Sequence, residues 1–313
     1  MAKKRVFSGI QPSGTLHIGN YFGALKQWVS MVDDFDCIYC IVDYHALTTV
    51  KDPAQLRNNT IEGAKDLIAV GIDPSKTVLF NQSAVLEHTE LAWVFECLVS
   101  VPFLMQAHAY KDKIAKGLEA NAGLFNYPML MAADILLYDT DFVPVGADQR
   151  QHVEYAREAA SKFNHMYGDT FKEPHEKILD AVAVVPGTDG QKMSKSYGNT
   201  IPLFGSTDEI ARSVMSIVTD SSGTTPSNVL AIHRLLKPEE ELASLYEKNM
   251  GNYKALKEAL IDDLDAVISP MRAKRNALSD DDVKAVLTEG AEKAASIASA
   301  KMRDVRKKIG VGT

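Results

Sequence analysis

Residues 8–25, SGIQPSGTLHIGNYFGAL, join the end of a short apolar run to the start of a helical pattern. The run Arg5–Ile10 has the composition of a buried strand, and three glycines in the connection permit tight turns and close backbone approach. His17 and Asn20 stand three positions apart where the helix begins, so both side chains point from one face near its N-terminus. Such a terminus carries unpaired N–H groups and a partial positive charge, which favour phosphate. The stretch therefore predicts a strand, a phosphate-binding turn and a helix, although a surface histidine in a plain connection would have the same pattern.

Four more apolar runs alternate with helical patterns through the first two thirds of the chain. Buried strands that alternate with helices indicate βαβ units, so we predict an α/β fold with a doubly wound parallel sheet, forming a Rossmann-like catalytic domain. Ligands bind such sheets beyond the carboxyl ends of the strands, where the motifs below fall. The predicted strands are residues 5–10, 37–43, 77–81, 142–145 and 181–185.

The strand patterns end near residue 205, and only helical patterns follow. We therefore predict two domains, residues 1–205 with the sheet and residues 206–313 as a helical C-terminal domain. The helical patterns cover residues 207–216, 239–250, 253–269 and 280–308.

The 313 residues are 46% hydrophobic and 24% charged, and no apolar stretch reaches the ~18 residues that could span a bilayer. The N-terminus has neither a long apolar core nor a small-residue cleavage site, so no signal peptide is expected. The net charge of −7 argues against a protein that coats nucleic acid by bulk electrostatics, while local basic patches could still hold a folded RNA. Cys37 and Cys40 face opposite sides of one predicted strand, so we expect buried thiols, no protein-ligated metal and a cytoplasmic location.

A second polar, glycine-rich segment, residues 187–200 (GTDGQKMSKSYGNT), follows the last predicted strand and can fold over the same sheet edge. Lys192 and Lys195 stand three positions apart in it, and lysines on a flexible loop suit a leaving group that gains charge, such as pyrophosphate. The common phosphate signatures G-x-x-x-x-G-K-[ST] and G-x-G-x-x-G do not occur in the chain. A solvated basic loop explains two lysines alone but not their pairing with HIGN. We therefore predict that the chain uses ATP to activate a small carboxylic acid as its adenylate.

HIGN resembles the HIGH signature, and QKMSKS the KMSKS signature, of class I aminoacyl-tRNA synthetases. Longer segments in the same order are similar to the tryptophanyl enzymes of bacterial type: SGIQPSGTLHIGNYFGAL, CIVDYHALT and YPMLMAADILLYDTDFVPVGADQRQHVE. The resemblance implies activation of L-tryptophan with ATP and Mg²⁺, release of pyrophosphate and transfer to tRNA(Trp). It also implies a homodimer and anticodon recognition by the helical domain. It covers residues 5 to about 200 well and the remainder more weakly.

The resemblance further implies roles for individual residues. Asn20 stands in place of the second histidine of the general signature, as is usual in the tryptophanyl enzymes, whereas the segment QAHAYKD departs from their commonest form. The implied catalytic residues are His17, Asn20, Lys192 and Lys195. The implied ATP contacts are Gln11, Pro12, Ser13, Gly19, Asn20, Lys113, Gly146, Ala147, Asp148, Ala183, Lys192, Met193, Ser194, Lys195 and Ser196. The implied tryptophan pocket is Phe7, Gly9, His45, Tyr127, Met131, Asp134 and Gln149.

Asp134 is notable without any family, because it is the only ionisable side chain in the run LMAADILL, residues 130–137. Burying an unpaired carboxylate costs several kcal/mol, so it needs a partner. One reading is a structural partner, such as a helix-capping backbone group or an arginine. The other is an indole N–H, which donates only and suits a carboxylate acceptor in an apolar slot. The resemblance places Asp134 at the indole nitrogen.

Basic residues near the C-terminus allow two readings, contacts with RNA phosphates or cations that offset a helix dipole. Three rival functions also stay open: a tyrosyl-tRNA synthetase, a small-molecule nucleotidyltransferase and a non-enzymatic binder of RNA or tryptophan. The run MAADILLYDTD favours tryptophan over tyrosine, a small nucleotidyltransferase needs no large helical domain, and a pure binder has no use for the two loop lysines. The basic residues are Arg272, Lys274, Arg275, Lys301, Arg303, Arg306, Lys307 and Lys308.

Overall fold

A parallel sheet of five strands carries the site. The computed structural model describes residues 3–115, 117, 120–146, 150–178, 184–219 and 225–312. The strands are β1 (Arg5–Ile10), β2 (Asp36–Ile41), β3 (Val78–Asn81), β4 (Phe142–Val145) and β5 (His175–Ile178). They lie in the order β3-β2-β1-β4-β5, so the winding direction switches between β1 and β4. A doubly wound sheet binds its ligands at such a switch, beyond the carboxyl ends of the strands. The predicted fold class is confirmed.

The fifth strand, predicted at residues 181–185, is absent at the two positions of that range that the structure describes. β5 pairs with β4 at the edge of the sheet, ahead of that position; residues 181–183 lie outside the described part of the chain, and residues 184 and 185 belong to no strand. An edge strand presents polar side chains to solvent, and His175 is exposed. The sequence of β5, HEKI, therefore lacks the apolar run from which the other four strands were predicted.

Helices cover both faces of the sheet and form the C-terminal part of the chain. Asp52 and Ser279 cap two of them: Asp52 accepts the Ala54 N–H at 2.7 Å, and Ser279 forms a capping box with Asp282. None of the described helices is both long and apolar enough to cross a membrane. The helices are α1 (Ile18–Asn20), continued by a π-helical turn (Tyr21–Leu25) into α2 (Lys26–Met31), α3 (Asp43–Ala46), α4 (Pro53–Val70), α5 (Glu87–Glu96), α6 (Val101–Leu104), α7 (His108–Ala115), α8 (Ala122–Leu136), α9 (Arg150–Tyr167), α10 (Thr207–Met215), α11 (Ser227–His233), α12 (Glu239–Lys248), α13 (Tyr253–Ala277) and α14 (Asp280–Ile309).

Two apolar cores lie on the two faces of the sheet. Cys37 belongs to the first and Cys40 to the second, as expected for two positions three apart in a strand. The first core includes the start of the HIGN helix and side chains of α4 and α13, and the second includes side chains of α5, α8 and α9. The site described below therefore lies between elements that are each fixed by burial.

Helix α14 returns from the C-terminal helices to the sheet. Where α14 crosses β3, the helix backbone approaches the strand so closely that only glycine fits at position 290. A Cβ there would lie 1.9 Å from the Leu79 carbonyl oxygen. Leu287 joins the first core, and Ala294 and Met302 join the second. The helical patterns of the C-terminal part correspond to α10, α12, α13 and α14, whereas α11 was not predicted. The division at residue 205 stays a prediction, and α14 packs against the sheet.

Candidate active site

The HIGN segment is held by the chain that follows the KMSKS loop. The Ile18 N–H donates to the Ile201 carbonyl at 3.0 Å, and in return the Leu203 N–H donates to the Leu16 carbonyl at 3.0 Å. At the start of α1, the His17 N–H donates to Asn20 Oδ1 at 3.0 Å, which fixes the two predicted polar residues relative to each other. The two sequence signatures therefore lie side by side beyond the carboxyl end of β1.

His17 is buried and electrically neutral at pH 7. Burial, and secondly the charge of Lys195, lower its pKa from 6.5 to about 4. Its Nδ1 has no hydrogen-bond partner among the described residues. Gly19 lies so close that a Cβ would fall 2.9 Å from that nitrogen. A neutral imidazole can donate one N–H and accept at the other nitrogen, so His17 is available to a ligand as a directed donor.

Lys195 connects the KMSKS loop with the turn that precedes HIGN. Its Nζ donates to the Gly14 carbonyl at 2.9 Å and to the Ser13 carbonyl at 3.3 Å. Met193 is buried in the first core and anchors the loop, while Lys192 is exposed. The ammonium of Lys195 thus lies against the turn for which a phosphate was predicted.

A cavity of about 290 Å³ opens between β1, β4 and α8. Its lining includes every described residue that was predicted for the tryptophan pocket, together with Gln11 from the predicted ATP segment. The predicted lining residues are Phe7, Gly9, Gln11, His45, Tyr127, Met131 and Asp134. The sequence reasoning did not name Ser8, Val42, Ile135, Val143, Pro144, Val145, His152 and Val153, which complete it.

Asp134 is fully buried and is held by three donors. His45 Nε2 lies 2.9 Å from Oδ2, and His88 Nδ1 lies 2.6 Å from Oδ1. Gln82 Nε2 donates to Oδ1 at 2.7 Å. Behind this shell, His88 Nε2 lies 2.7 Å from the Tyr138 hydroxyl oxygen. The partners of this carboxylate are therefore neither an arginine nor a helix cap.

This network keeps Asp134 ionised. Burial alone would raise the pKa of Asp134, but the hydrogen bonds from His45 and His88 outweigh burial and hold that pKa well below its usual range. A carboxylate oxygen has two lone pairs, and both on Oδ1 are taken by His88 and Gln82. Oδ2 accepts only from His45 among the described contacts, so it can accept one further N–H.

The remaining predicted residues divide into two groups. Pro12 is buried, its carbonyl accepts from Asn59 Nδ2 at 3.1 Å, and the Oγ atoms of Ser194 and Ser196 lie 2.9 Å apart. Gly146 directly follows β4. The predicted contacts at Ala147, Asp148, Gln149 and Ala183 lie outside the described residues, as does the side chain of Lys113, a residue of α7.

Sequence reasoning missed Gln82 and His88, which have no exposed atoms. Their signal was weak: both are polar residues near apolar runs, His88 at the start of α5 and Gln82 directly after β3. Neither spacing nor motif connects them with Asp134, which is about fifty positions away. A buried histidine in an otherwise apolar helix face was the one available sign that a buried charge needed a partner.

Comparison with known proteins agrees with this geometry. The family described as tRNA synthetases class I (W and Y) matches residues 2–281. The chain is 48% identical to the tryptophan–tRNA ligase of Fusobacterium nucleatum over 98% of each chain, and 45% identical to that of Rhodopirellula baltica over 98% of this chain and 99% of that one. The crystal structure of tryptophanyl-tRNA synthetase from Campylobacter jejuni, complexed with ADP and tryptophan, matches with a TM-score of 0.92 at 43% identity, covering 98% of this chain and 100% of that chain. The chain therefore belongs to the class I aminoacyl-tRNA synthetase family of the tryptophan and tyrosine enzymes, within its bacterial tryptophanyl branch.

Proposed function

We propose that the chain is a tryptophan–tRNA ligase that activates L-tryptophan with ATP and transfers it to tRNA(Trp). In the first step, a carboxylate oxygen of tryptophan attacks the α-phosphorus of ATP in line, the bond to the bridging oxygen breaks, and pyrophosphate leaves. In the second step, the 2′-hydroxyl of the terminal adenosine attacks the activated carbonyl, and AMP leaves. Placement of the reactants and stabilisation of developing charge account for catalysis, without a side-chain base in the first step.

One observation carries the proposal: a mostly apolar cavity contains a single buried, ionised carboxylate and continues into the HIGN connection through Gln11. Phe7 and Met131 give the flat, apolar contact that an indole ring needs. Asp134 Oδ2 has acceptor capacity left for the indole N–H, as described above. The relatives named tryptophan–tRNA ligases support the same substrate.

The proposed nucleotide contacts follow the sequence assignment, with His17, Asn20, Lys192 and Lys195 as the catalytic residues. Lys195 supports this assignment best, since its ammonium lies 2.9 Å from the Gly14 carbonyl, in the turn that the phosphates would share. His17 supports it as a buried, neutral donor. ATP would bring its own Mg²⁺, which neutralises part of the charge on the phosphate oxygens.

We also infer a homodimer, with the C-terminal helices reading the tRNA anticodon. A wide depression of about 570 Å³ is lined by Leu47, Trp93 and Leu130 among others, and Trp93 is 67% exposed. An exposed tryptophan in an apolar depression supports a contact with a second copy. Leu91 and Phe95 are buried in the second core, so the contact would use the other side of α5. Trp93→Glu should then give a monomer in sedimentation velocity, whereas the exposed Met166→Glu should stay dimeric.

The decisive experiment is ATP–pyrophosphate exchange measured with each of the twenty amino acids, followed by aminoacylation of tRNA(Trp) and tRNA(Tyr). The proposal expects exchange with tryptophan alone at micromolar to millimolar concentrations and charging of tRNA(Trp). Exchange with tyrosine would favour the rival tyrosyl enzyme, and tryptophan binding without exchange would favour a non-enzymatic binder.

The three free thiols, two of them buried, support the expected cytoplasmic location.

A further inference from the structure

One buried side chain, that of Asn199, makes three hydrogen bonds within the KMSKS loop. Asn199 is buried to 2% exposure although its neighbours Tyr197 and Gly198 are exposed. Its Oδ1 accepts the Ser194 N–H at 2.8 Å, and its Nδ2 donates to Asp189 Oδ1 at 2.7 Å and to the Lys192 carbonyl at 3.2 Å. A polar side chain so buried in a surface loop, with all these groups satisfied, indicates a built structure.

The backbone of the same residue closes the loop. The Thr188 N–H donates to the Asn199 carbonyl at 2.9 Å, so the chain from 188 to 199 is joined at its two ends. Through its backbone and side chain, Asn199 thus contacts Thr188 and Asp189 at the start of the loop and both backbone positions that flank Met193. Lys192 and Lys195 lie within the segment that these bonds enclose.

Gly187 makes room for this arrangement. A Cβ at Gly187 would lie 2.3 Å from Cγ and from Nδ2 of Asn199, far inside van der Waals contact. The position has no positive φ, so the requirement is for space next to Asn199 and not for an unusual backbone conformation. Gly187 and Asn199, which lie at the two ends of the segment, therefore pack directly against each other.

We propose that Asn199 is a positioning residue that clamps the KMSKS loop into one conformation and thereby sets where Lys192 and Lys195 meet the phosphates. Asp189 is its principal partner, and the hydrogen bond from Asn199 holds the pKa of the Asp189 carboxyl below its usual range. The clamp acts without touching the nucleotide: it keeps the backbone from Lys192 to Ser194 in register, and Lys195 then reaches the Ser13–Gly14 turn. The inference rests on the proposed adenylate chemistry for its catalytic consequence but not for the loop conformation.

The hydrogen bond between Asn199 and Asp189 can be tested by swapping the two side chains. Asn199→Asp places two carboxylates at 2.7 Å and removes both donor bonds, so we expect pyrophosphate-exchange kcat to fall ~10–10²-fold, the usual consequence of a catalytic group displaced by about 1 Å. The equilibrium Kd for tryptophan should not change, since no loop residue lines the tryptophan cavity. In the double variant Asp189→Asn/Asn199→Asp an amide again faces a carboxylate, and most of the lost activity should return. Asp189→Asn alone keeps the acceptor oxygen and serves as the matched control with a small effect.

Amide hydrogen exchange gives a second measurement that does not depend on activity. The Ser194 N–H should be protected in the wild type. It should lose protection in Asn199→Asp, where Oδ1 can still accept but repulsion between the two carboxylates opens the clamp, and also in Gly187→Ala. Protection should return in the double variant, while amides of β2 stay protected throughout. The proposal is overturned if Asn199→Asp leaves both Ser194 protection and the rate of pyrophosphate exchange intact. It is also overturned if the double variant recovers neither of them relative to Asn199→Asp while β2 is still protected. A wild type that is inactive with tryptophan, yet shows this pattern of Ser194 protection, would refute the proposed function and leave the clamp in place.

Discussion

His88 Nδ1 lies 2.6 Å from Asp134 Oδ1, behind the cavity and out of contact with solvent. Because Asp134 is ionised and can only accept, the hydrogen between them must reside on His88 Nδ1. On the other side of the ring, His88 Nε2 lies 2.7 Å from the hydroxyl oxygen of Tyr138, whose ring stacks on Phe7 at 5.5 Å. The carboxylate is thus oriented from behind by the His88 ring, and its Oδ2 keeps the capacity to accept a substrate N–H. The same arrangement therefore fits both readings of Asp134, as a carboxylate with structural partners and as an acceptor for a substrate N–H.

Removing the carboxylate should destabilise the protein as well as the site. In Asp134→Ala the N–H donors of His45, His88 and Gln82 lose their acceptor inside the core, and breaking such a buried charged network costs ~3–5 kcal/mol. Urea denaturation of the ligand-free protein measures this loss directly. Asp134→Asn, which keeps one acceptor oxygen, should lose less. A loss below ~1 kcal/mol in Asp134→Ala would mean that the three donors find other partners.

Substrate selectivity should depend on the same atom. A site that hydrogen-bonds a substrate N–H rejects analogues without it by ~10⁴-fold or more, so the wild type should discard phenylalanine and disfavour an analogue with sulfur in place of the indole nitrogen. Asp134→Asn should lower kcat/KM for tryptophan by ~1–3 kcal/mol, because its acceptor is uncharged. The His88 side chain touches no substrate in the proposed pose, but it orients Asp134. His88→Gln should therefore also weaken the preference for tryptophan over the sulfur analogue. Equal losses on tryptophan and on the sulfur analogue in Asp134→Asn would make the carboxylate purely structural.

Lys195 should act on the rate and not on amino-acid binding. Its ammonium contacts the Ser13–Gly14 turn and lines no part of the tryptophan cavity. We expect Lys195→Ala to slow adenylate formation by ~10²–10³-fold in single-turnover experiments, since it removes charge that stabilises the departing pyrophosphate. Tryptophan affinity, measured by fluorescence titration, should be unchanged. Lys248→Ala, an exposed lysine on α12, is the control. Parallel losses in affinity and rate would contradict the assignment.

Sequence reasoning found what short-range patterns encode. The strands β1 to β4 are apolar runs of buried sheet, and the HIGN and KMSKS segments carry their glycines, histidine and lysines within a few positions. The fold class and the neighbourhood of the two signatures could therefore be predicted. β5 could not, because an edge strand such as HEKI has no continuous apolar side to detect.

Contacts between distant segments left no comparable signal. Gln82 and His88 reach Asp134 from other elements, and the backbone bond between Ile18 and Ile201 joins positions separated by most of the catalytic region. Such pairs are selected by burial and hydrogen-bond satisfaction in the folded state, which a single sequence does not display. For Asp134 the sequence established that a partner was required, and only the fold identified His45, His88 and Gln82.

The pKa of His17 gives a test of the site in solution. In the folded protein it is about 4, below the ordinary 6.5, so between these pH values the unfolded chain binds more protons. The stability contributed by the buried neutral ring is therefore fully present above pH 6.5 and is lost as pH falls through 6.5 towards 4. NMR titration of the ring should give the low pKa directly. In Lys195→Ala it should rise, because a positive charge is gone, yet stay below 6.5, because burial is the larger cause. A pKa that ignores the substitution would place Lys195 elsewhere in solution.

Among the described residues, the basic cluster of α14 has paired members and members with no ion pair. Arg306 donates to Glu90 of α5 through Nε at 2.7 Å and through Nη2, while Arg303 and Lys307 are exposed. If the exposed pair contacts tRNA phosphates, Arg303→Ala/Lys307→Ala should weaken tRNA binding and flatten its log–log salt dependence by up to ~2, because each lost phosphate contact removes a little less than one. Pyrophosphate exchange should be unaffected. Glu90→Gln is the matched control: it breaks the half-exposed ion pair, which costs at most ~1 kcal/mol of stability, without removing a cation from the surface. A salt slope unchanged in Arg303→Ala/Lys307→Ala would instead assign the cluster to the dipole of α14, since Lys307 lies in its last turn and Arg303 in the turn before.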